Sequence, residues 1–190
     1  MTKPKEGMAM EPLLTGERVR LTLLDDHDID HMTKWYNKTD YARHLDALPA
    51  KPKRAEDLRR WRDEAHEHDS HFLFAIKEAD QFIGFVELDG ILWTQQNAWL
   101  TIGIGDPDMY GKGYGTEAME LLIQFAFHEL NLHRLQLTVF EYNTAARRLY
   151  EKLGFVHEGS HREFILRDGQ AYDMLLYGLL RKDWNQKTQG

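Results

Sequence analysis

The 190-residue sequence contains no cysteine, which excludes a disulfide framework, a thiolate zinc site and a cysteine nucleophile, and fits a reducing cytoplasm. It also lacks a long apolar run near its start. Met1 to Met10 holds Lys3, Pro4, Lys5 and Glu6, so neither a signal peptide nor a membrane span is expected there, and a cytoplasmic location follows. Positive charge is in deficit, with 24 Lys and Arg against 31 Asp and Glu, a formal net charge of -7. That argues against nucleic acid as a partner and leaves room for a cationic ligand. Internal repeats and low-complexity linkers are missing as well. What is present is 42% hydrophobic residues with 12% aromatics, enough for the core of one domain.

Val19, Leu21 and Leu23 alternate with Arg18, Arg20 and Thr22, the period of a strand with one buried face. Asp25 or Asp26 can cap a helix through Ile29, Met32, Trp35 and Tyr36, and a second helix runs through Leu58, Trp61 and Ala65. Between them, Tyr41 to Pro52 reads as loop. Phe72–Ile76 and Phe82–Leu88 read as a hairpin, with Ala98–Ile104 beside them. After Gly115, the residues Ala118, Leu121, Leu122, Phe125 and Ala126 carry the longest helical stripe. A strand of Leu135, Leu137 and Val139 follows, then a helix with Ala146, Leu149, Tyr150 and Leu153, stopped by Gly154. Two last strands flank the turn Arg167, Asp168, Gly169, Gln170. The sum is an α+β domain, a mixed and mostly antiparallel sheet of about seven strands flanked by about four helices.

The stretch Tyr110, Gly111, Lys112, Gly113, Tyr114, Gly115, Thr116 leaves a strand and enters the longest helix. Alternating glycines let the backbone approach a ligand, and the helix start adds free amides and positive potential, so the stretch suits a phosphate. Two other nucleotide motifs fail by residue. The ATPase loop needs Gly at 106 and Ser or Thr at 113, where Asp106 and Gly113 stand. The dinucleotide fingerprint needs Gly at 116, where the chain has Thr116.

A Gly-x-Gly-x-Gly turn between the fourth strand and third helix resembles the coenzyme A loop of GCN5-related N-acetyltransferases. It departs at Tyr110, where that family often has Gln or Arg. The run from Asn131 through Asn143, Thr144, Ala145, Ala146, Arg147, Arg148, Leu149, Tyr150 to Gly154 and Phe155 resembles a second signature, that of the branch containing ribosomal-protein-alanine and spermidine acetyltransferases. The likeness spans Glu17 to Trp184. It implies one GNAT-fold domain over residues 17–184, with tails at 1–16 and 185–190, and acetyl-coenzyme A as co-substrate. By the resemblance, a splayed gap between strands four and five would admit the pantetheine arm along Ile102, Gly103 and Ile104. Asn143 would bond that arm, and Tyr150 would protonate the departing thiolate. Lys112 and Arg147 are phosphate candidates, although each can equally be solvated surface.

An attacking alkylamine must lose a proton, and Glu87, Asp89 and His44 are the candidates to take it, with Glu87 placed first. Asp25, Asp26, Asp28 and Asp30 around the first helix would suit a polyamine or aminoglycoside, and an open groove would suit a protein N-terminus. No metal is expected: His27 and His31 show no third ligand, and Leu132 stands where a zinc-protease motif begun by His128 and Glu129 needs its second histidine. The leading expectation is an N-acetyltransferase acting by direct attack in a ternary complex, on a small amine or a protein N-terminus. The alternative is a non-catalytic acetyl-coenzyme A sensor. Oligomeric state is open, a homodimer among the options.

Overall fold

Val19 and Leu21 are buried in β1 (Val19–Thr22), but Leu23, expected to extend that face, is 69% exposed and Leu24 is buried instead. The cause is the next element. Asp25 accepts the Asp28 N–H at 2.9 Å and Asp28 accepts the Asp25 N–H at 3.1 Å, a reciprocal cap that opens α1 (Asp26–Tyr36) and ends the strand early. The computed structural model describes residues 13–188. The elements after α1 are α2 (Thr39–Leu45), α3 (Ala55–Glu67), β2 (Phe72–Glu78), β3 (Gln81–Leu92) and β4 (Asn97–Ile104). They are followed by α4 (Tyr114–Gln124), β5 (Arg134–Phe140), α5 (Thr144–Leu153), β6 (Val156–Arg167), β7 (Gln170–Leu180) and α6 (Arg181–Thr188).

The seven strands form one sheet in the order β1-β2-β3-β4-β5-β7-β6, antiparallel except where β4 meets β5. The mixed, mostly antiparallel α+β sheet is as expected. Helices are more numerous than expected. The segment read as loop from Tyr41 to Pro52 begins inside α2, a seven-residue helix with no side-chain cap. Its stability comes from burying Tyr41 and Ala42 against neighbours and not from its own periodicity. The last strand runs directly into α6, which carries the chain past the boundary expected at 184 and buries Trp184. Residues 1–12, most of the expected tail, lie outside the described residues, whereas Leu13 and Leu14 already pack on the core.

Two apolar layers cover the sheet. On one face α4 and α5 set Met119, Leu122, Ile123, Tyr150 and Leu153 against Val86, Leu100 and Leu137; on the other, α1–α3 set Ile29, Met32, Trp35 and Leu58 against Leu73, Phe82 and Phe85. The Asp168–Gly169 turn has φ of 52° and 80°, the left-handed pair that a two-residue hairpin between β6 and β7 requires. What positions the site is the parallel junction. β4 and β5 pair only at Asn97–Arg134, Ala98–Leu135 and Trp99–Gln136. Beyond Trp99 the two strands part, and β4 continues to Ile104 paired with β3 alone.

Candidate active site

A cleft of about 700 Å³ opens where β4 and β5 separate. Its walls are α2, the far half of β4, the glycine stretch, the start of α4 and one side of α5. The main-chain polarity of β4 there follows from the ladder. Gly105 donates to the Ile83 carbonyl at 3.0 Å, so Gly105 and Gly103 turn their amides toward β3, while Ile102 and Ile104 turn theirs to the open side. Of the three residues expected to offer backbone groups to an arm, Ile102 and Ile104 are in position. Gly103 is not, and its missing side chain has a packing reason: a Cβ there would lie 2.7 Å from Phe85 Cε1 and 2.9 Å from Tyr41 Oη. The Tyr110 hydroxyl donates to the Ile104 carbonyl at 3.1 Å, tying the glycine stretch to the strand end.

Gly111 and Gly113 have φ of 70° and 88°, left-handed values that glycine adopts without strain. The first helical bond of α4 runs from the Glu117 N–H to the Gly113 carbonyl at 3.1 Å, so the amides of Tyr114, Gly115 and Thr116 precede the helical ladder. Gly111, Gly113, Gly115 and Thr116 line the cleft, whereas Lys112 and Tyr114 do not. Those two are used from below. Arg18 donates to the Lys112 carbonyl at 2.8 Å and lies over the Tyr114 ring at 5.3 Å. Glu117 anchors the same arginine at 2.9 Å and accepts the N–H groups of Arg18 and Val19. Burial opposes its charge, but those donors hold the Glu117 carboxyl below its ordinary range.

On α5 the expected face is turned. Asn143 lines the cleft, yet it is the N-cap with non-helical backbone, its Oδ1 accepting the Ala146 N–H at 3.2 Å. Seven residues from a cap do not return to the same helical face as seven from a helical residue. Tyr150 therefore points into the core, 6% exposed, between the rings of Phe155 and Tyr177, and burial pushes its hydroxyl above the ordinary range. Arg147 turns to the Glu141 carbonyl at 3.3 Å. The cations that do line the cleft are Arg148 and Lys152. Sequence reasoning missed both, although i, i+4 spacing with the small residue Ala145 beneath them would have marked that face.

A family model described as the acetyltransferase (GNAT) domain matches residues 18–156, nearly all of this construction from β1 through α5. The chain belongs to the GNAT acetyltransferase family. It is similar to the SPbeta prophage-derived uncharacterized N-acetyltransferase YokL of Bacillus subtilis, at 28% identity over 90% of this chain and 94% of the relative. It is similar also to the spermidine N(1)-acetyltransferase of Vibrio cholerae (31% identity, 65% of this chain and 72% of the relative). A third relative is the ribosomal protein uS5-alanine N-acetyltransferase of Escherichia coli (27%, 90% and 92%). Among solved structures, the spermidine N-acetyltransferase of Vibrio cholerae in complex with CoA and spermine shares the fold with a TM-score of 0.80 at 24% identity, over 90% of this chain and 99% of that one.

This GNAT enzyme places the three proton acceptors considered from sequence very differently. Glu87 is buried and its carboxylate is bonded by the His71 Nε2; neither Glu87 nor Asp89 lines the cleft. Burial opposes a charge on His71, but the hydrogen bond and charge of Glu87 outweigh it and raise the imidazole. Burial, then the Glu87 charge, raises Asp89. His44 alone of the three lines the cleft. Its Nδ1 lies 2.7 Å from the Asp40 carbonyl, which only accepts, so Nδ1 carries the hydrogen and Nε2 is left to accept a proton.

The acidic residues of α1 face away. Asp26 and Asp30 pair with Arg59 and Asp26 also with Arg62, while Asp25 and Asp28 share Lys77 at 3.1 Å each, and none lines the cleft. Asp25, His27 and Asp28 bring ligand atoms within 4.8 Å of one another, with the Lys77 ammonium bonded to both carboxylates; His31 turns its Nδ1 to the His27 carbonyl. Among the described residues no helix is long and apolar enough to cross a membrane.

Proposed function

We propose that this enzyme, in the cytoplasm, transfers the acetyl group of acetyl-coenzyme A directly to a primary amine, both bound at once in the cleft. The observation that carries this is the meeting of two features in one cleft: strands β4 and β5 that part after Trp99, and the left-handed glycines that aim the start of α4 at the same space. The residues fit the co-substrate. Amides at Tyr114–Thr116 with Arg148 and Lys152 suit its phosphates, and the outward main-chain groups of Ile102 and Ile104 suit an extended amide-bearing arm, added like a strand. Bound there, it supplies an activated acyl carbon. The amine nitrogen forms the new C–N bond, the C–S bond breaks, the amine gives up a proton and the sulfur gains one.

His44 is the group placed to take the amine proton, through Nε2. Tyr150 keeps its own proton because burial raises its hydroxyl above the ordinary thiol range. Its ring packs in the core and off the cleft wall, so we assign it no proton transfer to the sulfur. The acceptor in this reading is a primary amine, which the names of the spermidine and the ribosomal protein uS5-alanine N-acetyltransferase relatives support. Asp40 is the acidic side chain on the cleft wall, which favours an acceptor arriving as a cation. The test is an amine panel of polyamines, aminoglycosides, amino acids and N-terminal peptides, with released coenzyme A followed by a thiol reagent. With no cysteine in the chain the protein gives no thiol signal. Thiol release that does not depend on any amine would refute the transfer.

A further inference from the structure

Every buried polar atom needs a partner or an explanation, and in the cleft one has none. The Tyr41 hydroxyl, on a residue 9% exposed, has no hydrogen-bond partner among the described residues. It is not there by accident of a loose side chain. The ring is fixed at 6.1 Å from Trp35 and 5.4 Å, edge on, from Tyr36, and α2 carries the residue into the cleft wall beside His44 and Leu45. Its oxygen would lie 2.9 Å from a Cβ at Gly103. The only residue type that leaves that oxygen room stands at the one β4 position between Ile102 and Ile104, whose main-chain groups face the open side.

We infer that Tyr41 is a catalytic residue whose hydroxyl donates a hydrogen bond to the acyl carbonyl oxygen when the acetyl group lies against β4 at Gly103. This rests on the co-substrate assignment above. The chemistry is complementary. A thioester has no donor and one strongly accepting oxygen with two lone pairs, which cannot be buried unpaired without loss. An outward β4 amide takes one lone pair and Tyr41 the other. The hydroxyl is suited to donation and ill suited to taking the amine proton, because burial, then the neighbouring Tyr36 and Tyr110, push its ionisation well above the ordinary tyrosine range. The oxygen on which charge gathers as the amine attacks is the atom that gains most from a fixed donor in a dry site. The ring is held by Trp35 and Tyr36 before ligand binds, so only the immediate surroundings of the closed-off hydroxyl have to open for the acyl oxygen to reach it.

The experiment compares wild type with Tyr41→Phe, which keeps the ring and removes one unpartnered oxygen. Melting without ligand should be unchanged or slightly higher for the variant. Calorimetric titration with coenzyme A should give the same affinity for both proteins, because coenzyme A has no acyl oxygen. Acetyl-coenzyme A should lose about 2- to 12-fold in affinity in the variant, the range of one net hydrogen bond. Single-turnover acetylation should fall further, by about 10²- to 10³-fold, as for removal of one fixed donor to an oxyanion. A lowered melting temperature without ligand would mean that the hydroxyl has a structural partner, and equal loss of affinity for both cofactors would mean a packing effect. Either result overturns the assignment, as does an unchanged single-turnover rate. Wild type that binds neither cofactor would refute the co-substrate reading itself, a result visible before any variant is made.

Discussion

Replacing Gly115 with Ala should raise stability and lower cofactor affinity, opposite signs from one methyl group. Gly115 lies in the first turn of α4 with ordinary helical backbone, unlike Gly113 at φ 88°. The added Cβ would sit 3.6 Å from Ile102 Cδ1, 3.8 Å from Ile104 Cγ1 and 3.9 Å from Leu149 Cδ2, ordinary contacts that require nothing to move. The free protein therefore gains helix propensity, up to about 1 kcal/mol. For a chain of this size that is a melting temperature higher by about 2–4 °C per kcal/mol. The same methyl projects between β4 and α5, into the cleft where the arm and phosphates are assigned. Losing one charge-assisted hydrogen bond to an amide there costs about 1.5–3 kcal/mol, roughly a 10- to 150-fold weaker Kd for coenzyme A. Differential scanning calorimetry and isothermal titration on the same preparations read both quantities. Unchanged Kd in a variant that melts at or above wild type would falsify the phosphate seat. A variant that melts well below wild type would show that the space around Gly115 is not as described. Gly113→Val is a poorer probe, because a branched residue at φ 88° strains the fold before any ligand is added.

Three other outcomes follow from the same contacts. Asp28→Asn should lower stability by about 1–2 kcal/mol, through loss of the Lys77 pair and a weakened reciprocal cap, and leave the KM for an accepted polyamine unchanged at low salt; a raised KM would return α1 to the acceptor site. Tyr150→Phe should keep coenzyme A affinity and reduce single-turnover transfer by about tenfold or less, below the 10²–10⁴ of a true general acid; a larger loss would restore proton donation to Tyr150. The third concerns His71, whose folded ionisation is raised by Glu87. A raised group holds its proton longer in the folded state, so its stabilisation is complete below the unfolded value of about 6.5 and is lost as pH rises through the folded value. The difference in unfolding free energy between wild type and Glu87→Gln should then shrink as pH rises above about 6.5, while transfer under saturating substrates changes little; a constant difference would mean an uncharged pair, and abolished transfer would make Glu87 the base.

The succession of strands along the chain and the glycine turn before α4 were legible because both are written in short-range patterns. Alternation marks β1 and β5, the stripe Ala118, Leu121, Leu122 marks α4, and Asp168–Gly169 marks its hairpin. The split between β4 and β5 was an expectation carried by resemblance alone, since no local pattern says where two strands stop pairing. Asn143 and Tyr150, both given to one ligand by the resemblance, do not share a wall of the cleft: Asn143 caps the helix with non-helical backbone and lines the cleft, while Tyr150 is buried. Arg147, a phosphate candidate from sequence, turns to the Glu141 carbonyl, and Arg148, which was not considered, lines the cleft. The acidic helix misled because charge counts ignore partners, and Arg59, Arg62 and Lys77 come from α3 and β2.

The side of the cleft proposed for the acceptor shows why substrate choice is the hardest part to read. Its wall is α2, which has no side-chain cap and seven residues, too few to hold a helix alone. The clamp comes from far along the chain. The Tyr142 hydroxyl donates to the Arg43 carbonyl at 2.6 Å, Arg43 pairs with Asp168 at 2.7 Å, and Arg167 donates to the Asp46 carbonyl at 2.9 Å. The Tyr142 ring also meets His44 edge on at 5.5 Å. The position of His44 and Tyr41 is thus set jointly by the end of β5 and the tip of the β6–β7 hairpin, about a hundred residues away or more. A change at Asp168 or Arg167 would move the amine-side wall without touching the cofactor half, which is anchored separately by Arg18 and Glu117. Two halves with separate anchors would let the proposed acceptor wall shift while the proposed acyl-donor half stays as it is.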